Sequence, residues 1–173
     1  MSRSLGNIIA DSLNLSLNYG ERLLKDIPSS QFARLACPGG RSIASNHPAF
    51  VYGHLSLYGP RILTHLGLPA PAIPAGFEAA FTKDAQCQDD PDATIYPPME
   101  QIVEFFFTGY RAALEALRNA TDEQLQQDNP IAGRMTELFP TVGSMHNFYV
   151  GGHMMIHLGQ VSAWRRMNDL PPA

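Results

Sequence analysis

The sequence predicts an all-α protein, a four-helix bundle with long connections and short extra helices. Three observations carry this prediction. Four long segments repeat apolar residues with a helical period, and long connections rich in proline or glycine join them. No segment shows the alternating apolar and polar pattern of a strand. Because 173 residues match the size of one ordinary domain, we expect a single domain over residues 1–173.

Composition excludes several classes of function. The net charge is −4 with only 12 Lys and Arg residues, so no nucleic-acid partner is expected. No apolar run is long enough for a membrane span, and no membrane association is expected. Cys37 and Cys87 are too few for a disulfide framework, which favours a reduced, cytoplasmic protein. Charged residues make up only 16%, a low share that favours a homodimer with part of its surface covered.

The first predicted helix covers residues 5–26, with Ile9, Leu13, Leu17 and Leu24 along one stripe. It ends at Ile27, because the residue before a proline avoids the α conformation. Residues 28–44 contain prolines and a glycine pair and predict a connector with one short turn at 30–35.

The second predicted helix starts at residues 45–48, with Asn46 as the N-cap, and ends at Gly67. Pro60 is expected to kink or split it. Residues 69–98 contain six prolines and predict a long connection with a short helix at 75–81. Such a connection is either a functional lid or a packed crossover strap.

The third predicted helix covers residues 98–120 and starts at a proline pair, which suits the first turn of a helix. Its predicted core stripe consists of Ile102, Phe106, Tyr110, Ala113 and Leu117. A short turn begins at Thr121, and residues 128–140 form a loop that is helical at 135–139. The fourth predicted helix covers residues 142–168. Its Gly151-Gly152 pair weakens the helix and permits either close helix packing or the close approach of a ligand.

The histidines carry the chemistry of this sequence. His153 and His157 form an HxxxH motif, whose spacing places both imidazoles on one face of a helix, where they can bind one metal ion. No glutamate follows His153, so the motif is not the HExxH of zinc proteases.

A catalytic or structural metal needs a third ligand. His54 lies in the middle of the second helix on an apolar stripe, where it is either that ligand or a hydrogen-bonded core residue. His47 suits the helix start, and His65 suits the last turn, where the helix dipole favours it. Spacing alone leaves open whether His47, His65 or His146 takes part.

Two segments carry further motifs. Residues 28–66 contain a P-x-x-x-F turn followed by a helix with a central histidine in Gly53-His54-Leu55. Residues 146–168 contain H-x-x-x-H-x-G-Q followed by an arginine pair. Together with Tyr96-Pro97 and the DEQL turn, these segments resemble the DinB-like (YfiT-like) family over nearly the whole chain. Where many relatives carry a tryptophan before the helix-two histidine, this sequence has Phe50 and Tyr52.

The resemblance implies a four-helix bundle that binds one divalent metal, usually nickel or zinc, through His54, His153 and His157. It also implies a homodimer and an enzyme related to S-transferases and isomerases that use bacillithiol, mycothiol or glutathione. We therefore expect a metal-dependent transfer of a low-molecular-weight thiol to a small electrophile in stress or detoxification. The alternatives are a non-catalytic metal-binding protein and a dimeric structural bundle whose histidines belong to the core.

Four further residues near the motif have candidate roles. Gln160 can accept the second N–H of His157. Tyr149 either lines the pocket or packs in the core. Arg165 and Arg166 either bind an anionic thiol cofactor or lie at the surface or a dimer contact. The sequence contains no GxSxG, Walker A or GxGxxG motif.

Overall fold

The computed structural model describes residues 3–173, which are mostly helical and form no strand, so the all-α prediction is confirmed. Its helices are α1 (Leu5–Leu24), α2 (Ser29–Phe32), α3 (Pro48–Ser56), α4 (Tyr58–His65), α5 (Phe77–Phe81), α6 (Met99–Asn119), α7 (Asp122–Leu125), α8 (Arg134–Leu138), α9 (Val142–Asn147) and α10 (Met154–Met167). A 3₁₀ turn covers Pro38–Gly40, and a π-helical segment, Phe148–His153, joins α9 to α10. Within the described chain, no helix combines the length and apolarity needed to cross a membrane.

Helix α1 forms where the apolar stripe predicts it. The Ser4 side chain accepts a hydrogen bond from the backbone N–H of Asn7 and caps the first turn. Ile9, Leu13 and Leu17 of the predicted stripe are buried, whereas Leu24 is partly exposed, and the small residues Ser16 and Gly20 are buried beside the stripe. The Tyr52 hydroxyl donates a hydrogen bond to the Gly20 carbonyl.

Helix α3 is buried on every side and is capped differently from our prediction. His47, not Asn46, is its N-cap, because Nδ1 of His47 accepts the backbone N–H of Phe50 at 3.2 Å. Nε2 of His47 therefore carries the proton and donates it to the Gln88 carbonyl at 2.8 Å. The helix ends at Ser56, whose carbonyl would need the N–H that Pro60 lacks, and α4 continues after Leu57.

The helices share one hydrophobic core. Helix α6 packs against α1, α3 and α4, and α10 packs against α1 and α3. The contacts among α1, α6, α3 and α10 thus form a closed ring. The predicted core stripe of α6 lies inside this ring and is fully buried at Ile102, Phe106, Tyr110, Ala113 and Leu117.

The long connection after α4 is a packed strap. Phe77 and Phe81 of α5 are fully buried in the core. The carboxylate of the buried Asp90 accepts the backbone N–H groups of Thr94, Ile95 and Tyr96 at 2.9 to 3.0 Å. These bonds hold the strap in one conformation beside α3.

The last helix is not the continuous α-helix that the sequence predicts. The π-helical segment Phe148–His153 contains the Gly151-Gly152 pair and has wider turns than the helices on either side. Further along α10, Arg165 is buried rather than exposed, which corrects both of its predicted roles. Its guanidinium donates to the carbonyls of Leu23, Lys25 and Pro171, so it closes the C-terminal end of α1.

Candidate metal centre

The three predicted ligands lie together. His54 comes from α3, His153 ends the π-helical segment, and His157 lies in the first turn of α10. One ring nitrogen of each histidine lies within 4.8 Å of those of the other two. Nε2 of His54 and Nε2 of His153 are 3.3 Å apart.

These distances fit one divalent ion. Two imidazoles bound tetrahedrally with metal–nitrogen bonds of about 2.05 Å have their nitrogens about 3.3 Å apart. The ring centroids should then be about 5.2 Å apart, and those of the three histidines are separated by 5.3, 4.9 and 4.7 Å. Three imidazoles leave a fourth position for water or substrate.

Two of the three rings are oriented by hydrogen bonds to their outer nitrogens. Nδ1 of His54 donates to the carbonyl of Phe81 at 2.8 Å, so its Nε2 lone pair faces the other histidines. Nδ1 of His157 donates to Oε1 of Gln160 at 3.0 Å. The Asn46 amide donates to the same oxygen at 3.0 Å, which leaves Gln160 as the acceptor for His157.

No hydrogen bond orients the outer nitrogen of His153. Its Nδ1 is buried and has no hydrogen-bond partner among residues 3–173. The ring packs against Tyr58 and Phe148, with centroids 4.6 and 5.6 Å away. Without a metal, its Nε2 must donate to Nε2 of His54, and a buried Nδ1 lone pair is then left unpaired.

Burial keeps all three imidazoles neutral, which is the form that binds metals. It lowers the pKa of His153 to about 3, and the neighbouring histidines add to this effect. Burial also lowers the pKa values of His54 and His157. The hydrogen bonds to Phe81 and Gln160 act in the opposite direction but are the smaller effect.

An open cavity of about 530 Å³ reaches His54 and His157. Its walls come from residues 44–46, from Phe50 and from the strap at residues 82–87. A smaller cavity of about 190 Å³ reaches His54 from the other side of Thr82 and Lys83, next to Tyr58 and Arg61. Small molecules can therefore approach the three histidines from the strap side.

The remaining predicted residues lie elsewhere. His47 caps α3 outside the three-histidine cluster, and His65 and His146 face each other in a separate pair. Tyr149 is buried and packs against Tyr58, with centroids 4.9 Å apart, and it does not line the larger cavity. Of its two predicted roles, core packing is the one its position supports.

The sequence analysis does not identify several groups that surround the three histidines. The Phe81 carbonyl orients His54, yet a backbone acceptor leaves no signal in the sequence. The sequence predicts Asn46 as the helix N-cap, but its side chain instead donates a hydrogen bond to Gln160. Tyr58 and Arg61 lie one and two turns after His54 in the sequence, and that spacing could have placed them near the site.

Comparisons with known proteins add no relative: no protein-family model matches this chain, and no curated protein matches it significantly.

Proposed function

We propose that this protein is a DinB-like, metal-dependent enzyme that transfers a low-molecular-weight thiol to a small electrophile. One observation carries the proposal: three oriented imidazoles converge beside an open cavity of about 530 Å³. A structural metal site is usually closed by a fourth protein ligand, whereas a catalytic site keeps one position open. The cluster has three ligands among the described residues, and the cavity reaches two of them.

In this proposal, His54, His153 and His157 hold a divalent ion, nickel or zinc. When bound, such an ion lowers the pKa of a thiol and favours the nucleophilic thiolate. Phe81 and Gln160 fix the tautomers of His54 and His157, and packing fixes the ring of His153.

The cavity walls suit a small thiol and its electrophile. Phe50, Ala44 and Ala85 supply apolar surface, while Asn46 and Gln86 supply polar groups. The thiol sulfur would form a bond to an electrophilic carbon, and the leaving group would depart with the bonding electrons. The thiol proton passes to water through the open side of the cavity.

We further propose that the closed ring of α1, α6, α3 and α10 is a DinB-like four-helix bundle, and that the protein is a cytoplasmic homodimer. Large apolar side chains on the packed helices α1 and α10 support the dimer: Leu15 is 65% exposed and Ile156 is 64% exposed. Analytical ultracentrifugation tests this part, and the variant Leu15→Glu should shift the protein toward the monomer.

The first experiment measures metal content in dialysed, untagged protein by elemental mass spectrometry. We expect about one nickel or zinc ion per wild-type chain and a loss of metal in His153→Ala. Met155→Ala, at an exposed neighbouring position on α10, is the matched control and should retain the ion. Metal-free wild type, even after incubation with zinc or nickel, contradicts the proposal and favours the structural bundle.

The second experiment mixes the loaded protein with 1-chloro-2,4-dinitrobenzene and glutathione, bacillithiol or mycothiol in turn. We expect thiol consumption and chloride release with wild type and Met155→Ala, and only the uncatalysed rate with His153→Ala. A protein that binds metal but transfers none of these thiols favours the non-catalytic metal-binding alternative.

A further inference from the structure

A second pair of imidazoles lies where α4 meets α9. His65 is the last residue of α4, and His146 belongs to α9. Nδ1 of His65 and Nε2 of His146 are 3.3 Å apart, and neither residue belongs to the three-histidine cluster. His65 is partly exposed, whereas His146 is fully buried.

The surroundings of His146 are costly for an imidazole. Nδ1 of His146 is buried and has no hydrogen-bond partner among the described residues. If Nε2 donates to His65, Nδ1 is a buried acceptor without a donor. If His65 donates instead, Nδ1 is a buried donor without an acceptor. Either tautomer leaves one buried polar atom unpaired, which is unfavourable. The single hydrogen bond to His65 therefore only partly offsets the unfavourable free energy of burying this ring.

A cation between the two rings would replace this single hydrogen bond by two metal–nitrogen bonds, while Nδ1 of His146 keeps its proton. The facing nitrogens are 3.3 Å apart, about the separation of two imidazoles on one tetrahedral ion. The rings are nearly parallel with centroids 5.5 Å apart, so a small tilt of the partly exposed His65 ring would direct both lone pairs at one ion. The partly exposed side of His65 gives an ion access from solvent, and water can fill the remaining positions. We propose that His65 and His146 form a second metal site, which binds a first-row divalent ion and links α4 to α9.

The donor set selects the class of ion. Two imidazoles favour copper, nickel or zinc over magnesium or calcium, which require oxygen ligands. The four ion pairs among residues 3–173 involve neither Arg61 nor any residue of the pair. Arg61 lies close enough that its charge lowers the pKa of His65, so it also opposes a cation there. With two ligands and this repulsion, the site should release its ion during dialysis, unlike the three-histidine centre.

Neutral imidazoles are available for this site at physiological pH. Burial lowers the pKa of His146 to about 3, and burial also lowers that of His65. Protons therefore compete weakly with a metal. The pair does not depend on the proposed thiol chemistry, so its test can be made with the three-histidine centre removed.

The test uses the double variant His153→Ala/His157→Ala, once circular dichroism has verified that it remains helical. Copper(II) is added to one equivalent, and electron paramagnetic resonance counts the coupled nitrogens. We expect two imidazole nitrogens. Adding His65→Ala, which removes a partly exposed ring and should not prevent folding, must abolish the two-nitrogen signal. Adding Thr64→Ala at an exposed position of the same helix is the matched control and must leave the signal unchanged.

A second measurement follows thermal unfolding of the same variants with zinc. Zinc should raise the melting temperature of the double variant and of its Thr64→Ala form, but not of its His65→Ala form. The proposal is overturned if copper shows no imidazole coupling in the double variant. It is equally overturned if the copper signal or the zinc shift survives His65→Ala, because the ion would then occupy another place.

Discussion

Oε1 of Gln160 lies 3.0 Å from Nδ1 of His157 and accepts a hydrogen bond from it. The same oxygen accepts a hydrogen bond from Asn46, which precedes α3. One amide oxygen therefore ties α10 to the start of the helix that carries His54. It also fixes which nitrogen of His157 faces the other two ligands.

Replacement of Gln160 by methionine should weaken metal binding without removing a ligand. Methionine retains the length of the side chain but cannot accept the His157 proton, so both the tautomer and the ring position of His157 become free. We expect a 10- to 100-fold lower affinity, roughly the usual cost of losing such a partner. Competition with a chromophoric zinc chelator measures it. Gln101→Met, at an exposed position on α6, should behave as wild type. An unchanged affinity in Gln160→Met would show that packing alone orients His157.

Two glycine-to-alanine variants should have opposite effects on stability. A Cβ at Gly53 would overlap the ring of Phe81, which is fully buried and cannot turn away. We expect Gly53→Ala to lower the free energy of unfolding by about 1–3 kcal/mol, the usual cost of overpacking. Gly159 is exposed on α10 and has no atom near the position of a new Cβ. Gly159→Ala should therefore raise stability by about 0.5–1 kcal/mol, because alanine favours the helix.

The variants Gly53→Ala and Gly159→Ala also distinguish an effect on stability from an effect on metal binding. Displacement of Phe81 moves the carbonyl that orients His54, so Gly53→Ala should also weaken zinc binding. Urea unfolding and chelator competition on both variants provide the two readouts. Tight zinc binding in a destabilised Gly53→Ala protein would argue against the role of the Phe81 carbonyl.

The helical period alone predicted the core of this protein well. Apart from Leu24, the stripes of α1 and α6 are buried as expected, because a helix in a compact fold must cover its apolar face. The spacing of His153 and His157 likewise predicted two neighbouring imidazoles. Only the family resemblance predicted that His54 lies beside them. The spacing of histidines within one helix does not show which of them lies opposite the HxxxH pair on another helix.

Other features had no local signal. His146 precedes His153 by seven residues, a spacing that puts both on one face of a regular α-helix. The π-helical segment between them has wider turns and rotates the two rings apart, so that His146 faces His65. Arginine usually lies at the surface, yet Arg165 is surrounded by two carbonyls at the end of α1 and one near the C-terminus.

Loss of the Arg165 guanidinium should destabilise the whole fold. Arg165→Met retains most of the apolar stem but removes the donor to the carbonyls of Leu23, Lys25 and Pro171, of which the Leu23 bond is buried. We expect the free energy of unfolding to fall by about 3 kcal/mol, since charged hydrogen bonds are lost and the Leu23 carbonyl stays buried. Arg166→Met, at the exposed next position, should change it by less than about 0.5 kcal/mol. Chemical denaturation of both variants measures the difference, and equal stability would exclude a capping role for Arg165.

The metal-free protein should lose stability as the pH falls below about 6.5. All six histidines have pKa values that are lowered in the folded protein, mainly by burial. In the unfolded chain their pKa is about 6.5, so below that pH the unfolded state binds more protons. The free energy of unfolding must then decrease with falling pH, and it should be nearly constant above pH 7.5. Each fully shifted histidine contributes up to about 1.4 kcal/mol per pH unit well below 6.5.

Urea unfolding of chelator-treated protein between pH 7.5 and 5.0 measures this dependence. The range stays above the titration of Asp89 and Asp90, whose pKa values are lowered in the folded state. His146→Gln should have a shallower slope than wild type, because one buried imidazole with a pKa of about 3 no longer takes part. Zinc should raise the stability of the wild type by a similar amount across this range, because the buried imidazoles of the folded protein stay neutral and protons compete only weakly with the ion. A metal-free wild-type protein that is equally stable at pH 7.5 and 5.0 would mean that the histidines ionise freely in the folded state. That result would contradict their burial and, with it, the readiness of His54, His153 and His157 to bind a metal.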